Sequence, residues 1–289
     1  MQYILGHAVF EVAAPLRDDT TYIYAPADES RTLRVTPIPG TKDADRVLSS
    51  TKAAFEEFMA PAIIYSTSVR VASPAGVPVP AFEGELTDPM TQTIQRFGLV
   101  ALADAHDTAT FLLLAPRAVL LPEFQRLIKS VRFLANVMEP AFVAATGMAR
   151  RQAAAASFEV PADWSHPTTL LFSDPTAEDV ALRVTLDDPP AKKGDISLET
   201  ELPSVSGDRV VVQNATVVPG RPNAKSWTGD WTVEHGSPLG TRTVVLRKAC
   251  IVLHSGETLT AHGKALEKNS PRLTAAWETF LQTVRERAP

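Results

Sequence analysis

"FEVAAPLRDDTTYIY", residues 10–24, and "FEVPADWSHPTTLLF", residues 158–172, are one short pattern written twice. Both carry Phe-Glu-Val, an Ala at the fifth position, and a Thr-Thr pair followed by three apolar residues. The echo continues along the chain. "LRVT" at Leu33 to Thr36 returns at Leu182 to Thr185, and "FEGELT" at Phe82 to Thr87 returns as "WTGDWT" at Trp227 to Thr232. "TQTI" at Thr91 returns as "TRTV" at Thr241, and "DTAT" at Asp107 as "ETLT" at Glu257. Matches in the same order at nearly constant spacing point to two copies of one domain.

A length of 289 residues suits two copies of common domain size. The expected division is copy 1 over residues 1–138, a helical connector over 139–156, and copy 2 over 157–289. Apolar residues make up 45% of the chain and charged residues 21%, which suits a packed core rather than disorder. The net charge of -5 is spread without a basic block, which excludes a nucleic-acid surface built on clustered Lys and Arg.

One cysteine, Cys250, excludes an intramolecular disulfide and a cysteine-based metal cluster. "MQYILGHAVF" at the start has neither the basic nor the apolar segment of a secretory signal, so the cytoplasm is the expected compartment. The most apolar run, "FLLLAPRAVLL", is interrupted by Pro116 and Arg117, and no membrane insertion is expected.

Within each copy the periods alternate. "TTYIYA" and "TLRVTP", like "TTLLFS" and "ALRVTL", are short, β-branched or aromatic runs and read as strands. Residues 42–59 place Val47, Leu48, Phe55 and Met59 at helical spacing behind Asp43 or Asp45 as the N-cap. Strands follow at about 62–71, 79–87, 91–103 and 108–114, and in the second half at about 208–218, 225–234, 241–254 and 258–263. Closing helices are expected from Pro122 to Met138 and from Ser270 to Ala288, with Ser270 as N-cap. Between them, the Ala-rich stretch 139–157 favours helix. The expected fold class is α+β: two tandem copies, each a mostly antiparallel sheet with flanking helices.

Catalytic signatures are missing. "GRPNAKS" at 220–226 lacks the second Gly and the residue count of a phosphate-binding loop, and it leads into a strand. Cys250 and His254 lie four residues apart on an expected strand, roughly 13 Å, too far for a nucleophile–base hydrogen bond. His254, Glu257 and His262 could be drawn as a metal site, but "HSGE" reads as a hairpin turn. No catalytic residue, metal or cofactor is expected.

The order of pieces, the opening "MQYILGHAVFEV" and the "LRVT" third strands resemble the DcrB-like domain, related in fold to PsbP-like proteins. Within that domain, cytoplasmic Eag chaperones accompany type VI secretion effectors and shield their hydrophobic N-terminal helices before export. His7 and Ala8 stand where the pattern has an acid and a Gly. Single-copy Eag proteins act as dimers, so a tandem chain could form an intramolecular pseudo-dimer.

What the resemblance implies is a non-enzymatic chaperone whose second and third strands line a client groove, which places Tyr22, Tyr24, Leu33, Val35, Leu170, Phe172, Leu182 and Val184 at its walls. A second candidate surface is Phe82 with Leu86 and Trp227 with Trp231, each pair flanking a Gly. The alternatives are an immunity or general protein-interaction protein of the same fold, and a carrier of a small apolar ligand.

Overall fold

The computed structural model describes residues 2–60, 62–87, 90, 92–116, 120–133, 146–165, 167–187, 209–217, 226–237 and 240–286. In chain order its strands in the first half are β1 (Gln2–Leu5), β2 (Ala8–Glu11), β3 (Arg17–Asp18), β4 (Tyr22–Tyr24), β5 (Thr32–Ile38), β6 (Ile63–Ala72), β7 (Pro78–Thr87), β8 (Ile94–Ala103), β9 (Thr108–Pro116) and β10 (Arg132–Phe133). In the second half they are β11 (Met148–Ala153), β12 (Ala156–Pro161), β13 (Thr169–Asp174), β14 (Ala177–Asp187), β15 (Arg209–Val217), β16 (Trp227–Ser237), β17 (Gly240–Val252), β18 (Thr258–Leu266) and β19 (Arg285–Glu286). The helices are α1 (Ala44–Phe58), α2 (Leu120–Ser130) and α3 (Ser270–Thr283).

The α+β expectation is corrected: the chain is mostly β. Strand accounts for 55% of the structure and helix for 19%, and the strands form four antiparallel sheets. The closing helices end earlier than expected, at Ser130 and Thr283, and the residues just beyond them turn into the short strands β10 and β19. Residues 148–153, expected in a helical connector, are strand β11. Asn269, not Ser270, is the N-cap of α3. Among the described residues no helix is long and apolar enough to cross a membrane.

Two compact units divide the chain, and they are not contiguous copies. One is residues 19–167; the other combines residues 1–18 with 168–289. The chain therefore leaves one unit and enters the other inside each of the two echoing stretches.

The 19–167 unit is a six-stranded sheet in the order β4-β5-β9-β8-β7-β6 with a three-stranded sheet, β10-β12-β11. Helix α1 starts where the Asp43 side chain accepts a hydrogen bond from the Arg46 amide at 3.0 Å. Its stripe of Val47, Leu48 and Phe55 buries against Phe97, Leu99, Leu112 and Leu114 of β8 and β9. Helix α2 lies on the opposite face, since its Phe124 ring is packed over Gly98, the neighbour of Phe97 along the strand. On that face Phe158 of β12 meets Tyr24 and Phe111 edge-on, at 5.3 and 5.6 Å between ring centroids. The sheet is thus apolar on both sides, which is why β8 and β9 read as continuous apolar runs instead of alternating.

The hairpin β11–β12 turns through Ala154 and Ala155, with Ala153 paired to Ala156. Ala154 has φ 47°, in the region where a Cβ is strained. Hydrogen bonds hold it there: its amide donates to the Tyr22 hydroxyl at 3.3 Å and its carbonyl accepts from the Gln152 side chain at 2.7 Å. In the hairpin β1–β2 the same place is held by Gly6, with φ 56°.

The composite unit is a seven-stranded sheet in the order β15-β16-β17-β18-β14-β13-β3, with a three-stranded sheet, β1-β2-β19. Helix α3 buries Leu273, Ala276, Trp277 and Phe280, and Leu273 and Trp277 pack over Gly263 of β18. The N-terminal hairpin closes the unit against the C-terminus: Val9 pairs with Arg285 and Ala8 with Glu286. Phe10 then meets Phe280 and Phe172 edge-on, at 5.2 and 6.4 Å. Each of these fully buried rings contributes on the order of 2–3 kcal/mol by leaving water.

An ion pair between a half-exposed Arg272 and a buried Asp174 ties α3 to the end of β13. Arg272 donates to Asp174 Oδ2 at 2.6 Å, while the Thr176 amide and hydroxyl donate to Oδ1 at 2.8 and 2.7 Å. Burial pushes the Asp174 carboxyl upward, but the Arg272 and Thr176 hydrogen bonds outweigh it and hold the pKa at about 2.

Two outcomes follow from these contacts. Because folding lowers the Asp174 pKa below its unfolded value, its contribution is complete above about pH 4 and is lost as pH falls toward 2. Thermal unfolding followed against pH will show Asp174→Asn less stable than wild type at pH 7 and with a shallower decline between pH 4 and 2. Ala154→Gly relieves the left-handed backbone and will raise stability by up to about 1 kcal/mol in denaturant titration, whereas Gly within a strand ordinarily costs about that much.

Candidate functional site

The eight residues read as groove walls pair as the pattern implied: Tyr22 with Val35 and Tyr24 with Leu33 across β4 and β5, Leu170 with Val184 and Phe172 with Leu182 across β13 and β14. All eight point into the cores of their own units, and none is more than 4% exposed. Their polar atoms are engaged internally as well, since the Tyr24 hydroxyl donates to the Gln152 carbonyl at 3.0 Å. The residues between them, Ile23 and Leu171, are the ones facing water, at 46% and 45% exposure. A period-2 pattern gives two faces but does not say which one is covered.

The second candidate surface is also inward. Leu86 is buried, Phe82 is half-buried against the α1 core with the Lys52 ammonium 5.2 Å from its ring centroid, and Trp231 is buried beside Cys250 and Leu246. Trp227 stands on β16; its side chain lies outside the described residues. Gly84, between Phe82 and Leu86, leaves no notch for a partner. A Cβ there would stand 2.0 Å from the Tyr65 carbonyl and 2.7 Å from the Phe97 ring, so the protein fills that space itself.

Cys250 is buried next to Trp231, and burial pushes its thiol pKa up to about 11 despite the nearby Lys248 ammonium. At neutral pH it is a protonated, inert thiol. His254 bonds Glu286 at 2.7 Å, and Glu257 bonds His7 at 2.7 Å. These contacts tie hairpin turns to the chain termini. Among the described residues no group of three or more His, Cys, Asp and Glu is placed to hold a metal ion.

A concave site does exist in the 19–167 unit, and of the predicted residues Leu33 belongs to it. It is a small half-open cleft of about 40 Å³ between α2 and the hairpin β11–β12. Leu33 and Leu113, paired across β5 and β9, form its floor with Leu127 and Val160; Met148, Pro161 and Trp164 wall one side. Glu123, Arg126 and Glu159 supply its polar groups. Trp164 is fixed by its own backbone, whose amide donates to the Pro161 carbonyl at 3.1 Å and whose carbonyl accepts from Arg151 at 3.1 Å. Glu123 is held from the other side by Arg31, at 2.6 Å from Oε1. Apolar walls with a few fixed polar groups are what a binding cleft requires. The signal for it in the sequence is thin: Trp164 sits inside the second echoing stretch where the first has Leu16, an aliphatic residue replaced by a large aromatic one.

No family model matches the chain, and no curated protein does. Among solved structures it is similar to the type VI secretion immunity protein TplEi from Pseudomonas aeruginosa in complex with an "L" peptide, with 10% identity over 99% of this chain and 98% of that one and a TM-score of 0.41. It is also similar to a chain of the Tle4–Tli4 complex, with 8% identity over 99% and 97% of the two chains and a TM-score of 0.44. The PsbP protein CyanoP from Synechocystis sp. PCC 6803 matches 52% of this chain over 98% of its own, with 14% identity and a TM-score of 0.30. TM-scores below 0.5 are too low for a shared fold or site to be read from them.

Treatment with an aromatic disulfide reagent at pH 7 will leave Cys250 unmodified in the native protein and modify it fully once the protein is unfolded in denaturant. Rapid native modification, at a rate comparable to an exposed thiol, would show that the strand β17 region opens.

Proposed function

We propose that this chain is a non-enzymatic effector-binding protein of a type VI secretion system, and that it engages a folded partner in the manner of an immunity protein. The secretion context rests on the sequence resemblance to effector-associated proteins. The mode of binding rests on one observation: an apolar cleft at Leu33, Leu113 and Trp164 is half open to solvent and small, about 40 Å³. That space accepts the tip of one side chain. A transmembrane helix about 30 Å long and 10 Å across occupies on the order of 2,400 Å³. With the eight strand positions committed to the cores, shielding such a helix is the weaker reading.

In this reading an aromatic or aliphatic side chain of the partner anchors between Trp164 and Leu127, and Glu159 and Arg126 at the rim set its orientation. A buried apolar anchor within a polar rim is the usual energetic plan of a protein interface. The apolar lining of the cleft keeps the apolar-carrier reading as the second one.

The test is affinity capture of the full chain and of a variant carrying Arg126→Glu with Glu159→Lys, with bound chains identified by mass spectrometry and their domains then expressed separately. The expected result is an effector captured by wild type, bound at least tenfold more weakly by the double variant, and still bound after its hydrophobic N-terminal segments are deleted. Binding that vanishes with those segments would return the chaperone reading. Capture of no protein, together with a lipid retained in native mass spectrometry, would establish the carrier.

A further inference from the structure

Among the described residues, the six-stranded sheet of the 19–167 unit ends in a strand whose outer edge pairs with no other strand. Strand β6 is ten residues long, "IIYSTSVRVA", and pairs with β7 over its whole length in unbroken register. Among the described residues β6 has β7 as its one strand neighbour. Side chains on both of its faces meet solvent: Tyr65, at 70% exposure, and Thr67 on one face, Ser68 and Arg70 on the other.

An edge strand of this length is a template for another strand, and proteins blunt such edges with brevity, bulges, proline or charge. The other edges of the two large sheets are blunted. Strand β4 has three residues and β3 has two, while β15 carries a register shift between Val210 and Val212. By contrast β6 has no proline, no bulge and a single charge, Arg70, and half of its residues are Ile, Val or Thr.

Its sequence also fits itself. If two copies of β6 run antiparallel about Thr67, Tyr65 faces Val69 of the second copy, Ser66 faces Ser68, and Thr67 faces its own twin. Aromatic with β-branched and Thr with Thr are favourable cross-strand pairs. Arg70 falls opposite Ile64, so the two Arg70 side chains are six residues apart in register, about 20 Å, beyond the Debye length at physiological salt.

We propose that β6 is a homodimerisation edge, across which two copies of this chain join their six-stranded sheets through antiparallel β6–β6 pairing centred on Thr67. This is independent of the cleft and of the partner bound there. The exposed Tyr65 rings, one at each end of the central pairs, become covered by Val69 of the second copy.

Sedimentation velocity from low-micromolar to near-millimolar protein tests it. The expected result is a species of twice 31.2 kDa that forms with rising concentration in wild type. Thr67→Lys, which places two ammonium groups face to face on the axis, will remain at the single-chain mass with an unchanged thermal midpoint. Thr67→Cys will give a disulfide-linked dimer on mild oxidation, while Glu57→Cys on the exposed side of α1 will not. A wild-type protein that stays at the single-chain mass near millimolar concentration overturns the proposal. So does a dimer that survives Thr67→Lys, or a Thr67→Cys variant that fails to cross-link; the cross-linking arm decides the matter if Thr67→Lys does not fold.

Discussion

The pairing of β19 with β2 is the contact on which the architecture of this chain rests. Two backbone pairs, Val9 with Arg285 and Ala8 with Glu286, tie the ends of the sequence into one sheet. Phe10 then enters the aromatic cluster of Phe172, Phe280 and Tyr3. This closure adds to the pairing of β3 with β13 in holding the first eighteen residues to their core. In the 19–167 unit the corresponding arrangement is local: β10 follows α2 directly and pairs with β12 a short distance along the chain. One pattern of hairpin, sheet and helix is thus completed by neighbouring residues in one unit and by the most distant residues available in the other. The entropy of closing the longer loop rises only slowly with its length, so the difference is thermodynamically small.

The same kind of packing leaves an open space among the described residues of the 19–167 unit. A residue at the centre of β4, β5, β13 or β14 has its inward side occupied by an aromatic ring from a hairpin or by a closing helix. The open space lies where α2 and the hairpin β11–β12 diverge above Leu33 and Leu113. It is bordered by elements that are each anchored elsewhere, α2 through Phe124 on Gly98 and the hairpin through Phe158 on Tyr24 and Phe111. A cleft between separately anchored elements keeps its shape without a ligand, which lowers the ordering cost of binding.

Much of the strand order was legible in the sequence. The alternation in "TLRVTP" and "ALRVTL" put Leu33 and Val35, and Leu182 and Val184, on shared faces, and the stripe of Val47, Leu48 and Phe55 together with Asp43 located α1. Three things were not legible, each for a physical reason. The stretch around "MARRQAAAAS" carries high intrinsic helix propensity, yet pairing with β12 and the internal burial of Ala153 and Ala156 override it. The assignment of Phe10 to one unit and Tyr22 to the other depends on long-range pairing, and periodicity carries no information about partners. Core and groove walls present the same apolar alternation, so Tyr24 or Phe172 could be read either way until the ring above it was known. The cleft was faintest, because its residues come from five separated segments and share no spacing.

The interleaving of the two units has a consequence for synthesis. A ribosome releases the chain from the N-terminus, so the unit of residues 19–167 is complete while more than a hundred residues remain to be made. Residues 1–18, although made before the 19–167 unit, belong to the unit finished after it. Until Arg285 and Glu286 emerge, the β1–β2 hairpin carries Tyr3, Val9 and Phe10 without their final cover. During synthesis that apolar segment therefore waits beside a finished unit through more than a hundred further residues. Of these parts, the segment made before the 19–167 unit is the one most in need of holding.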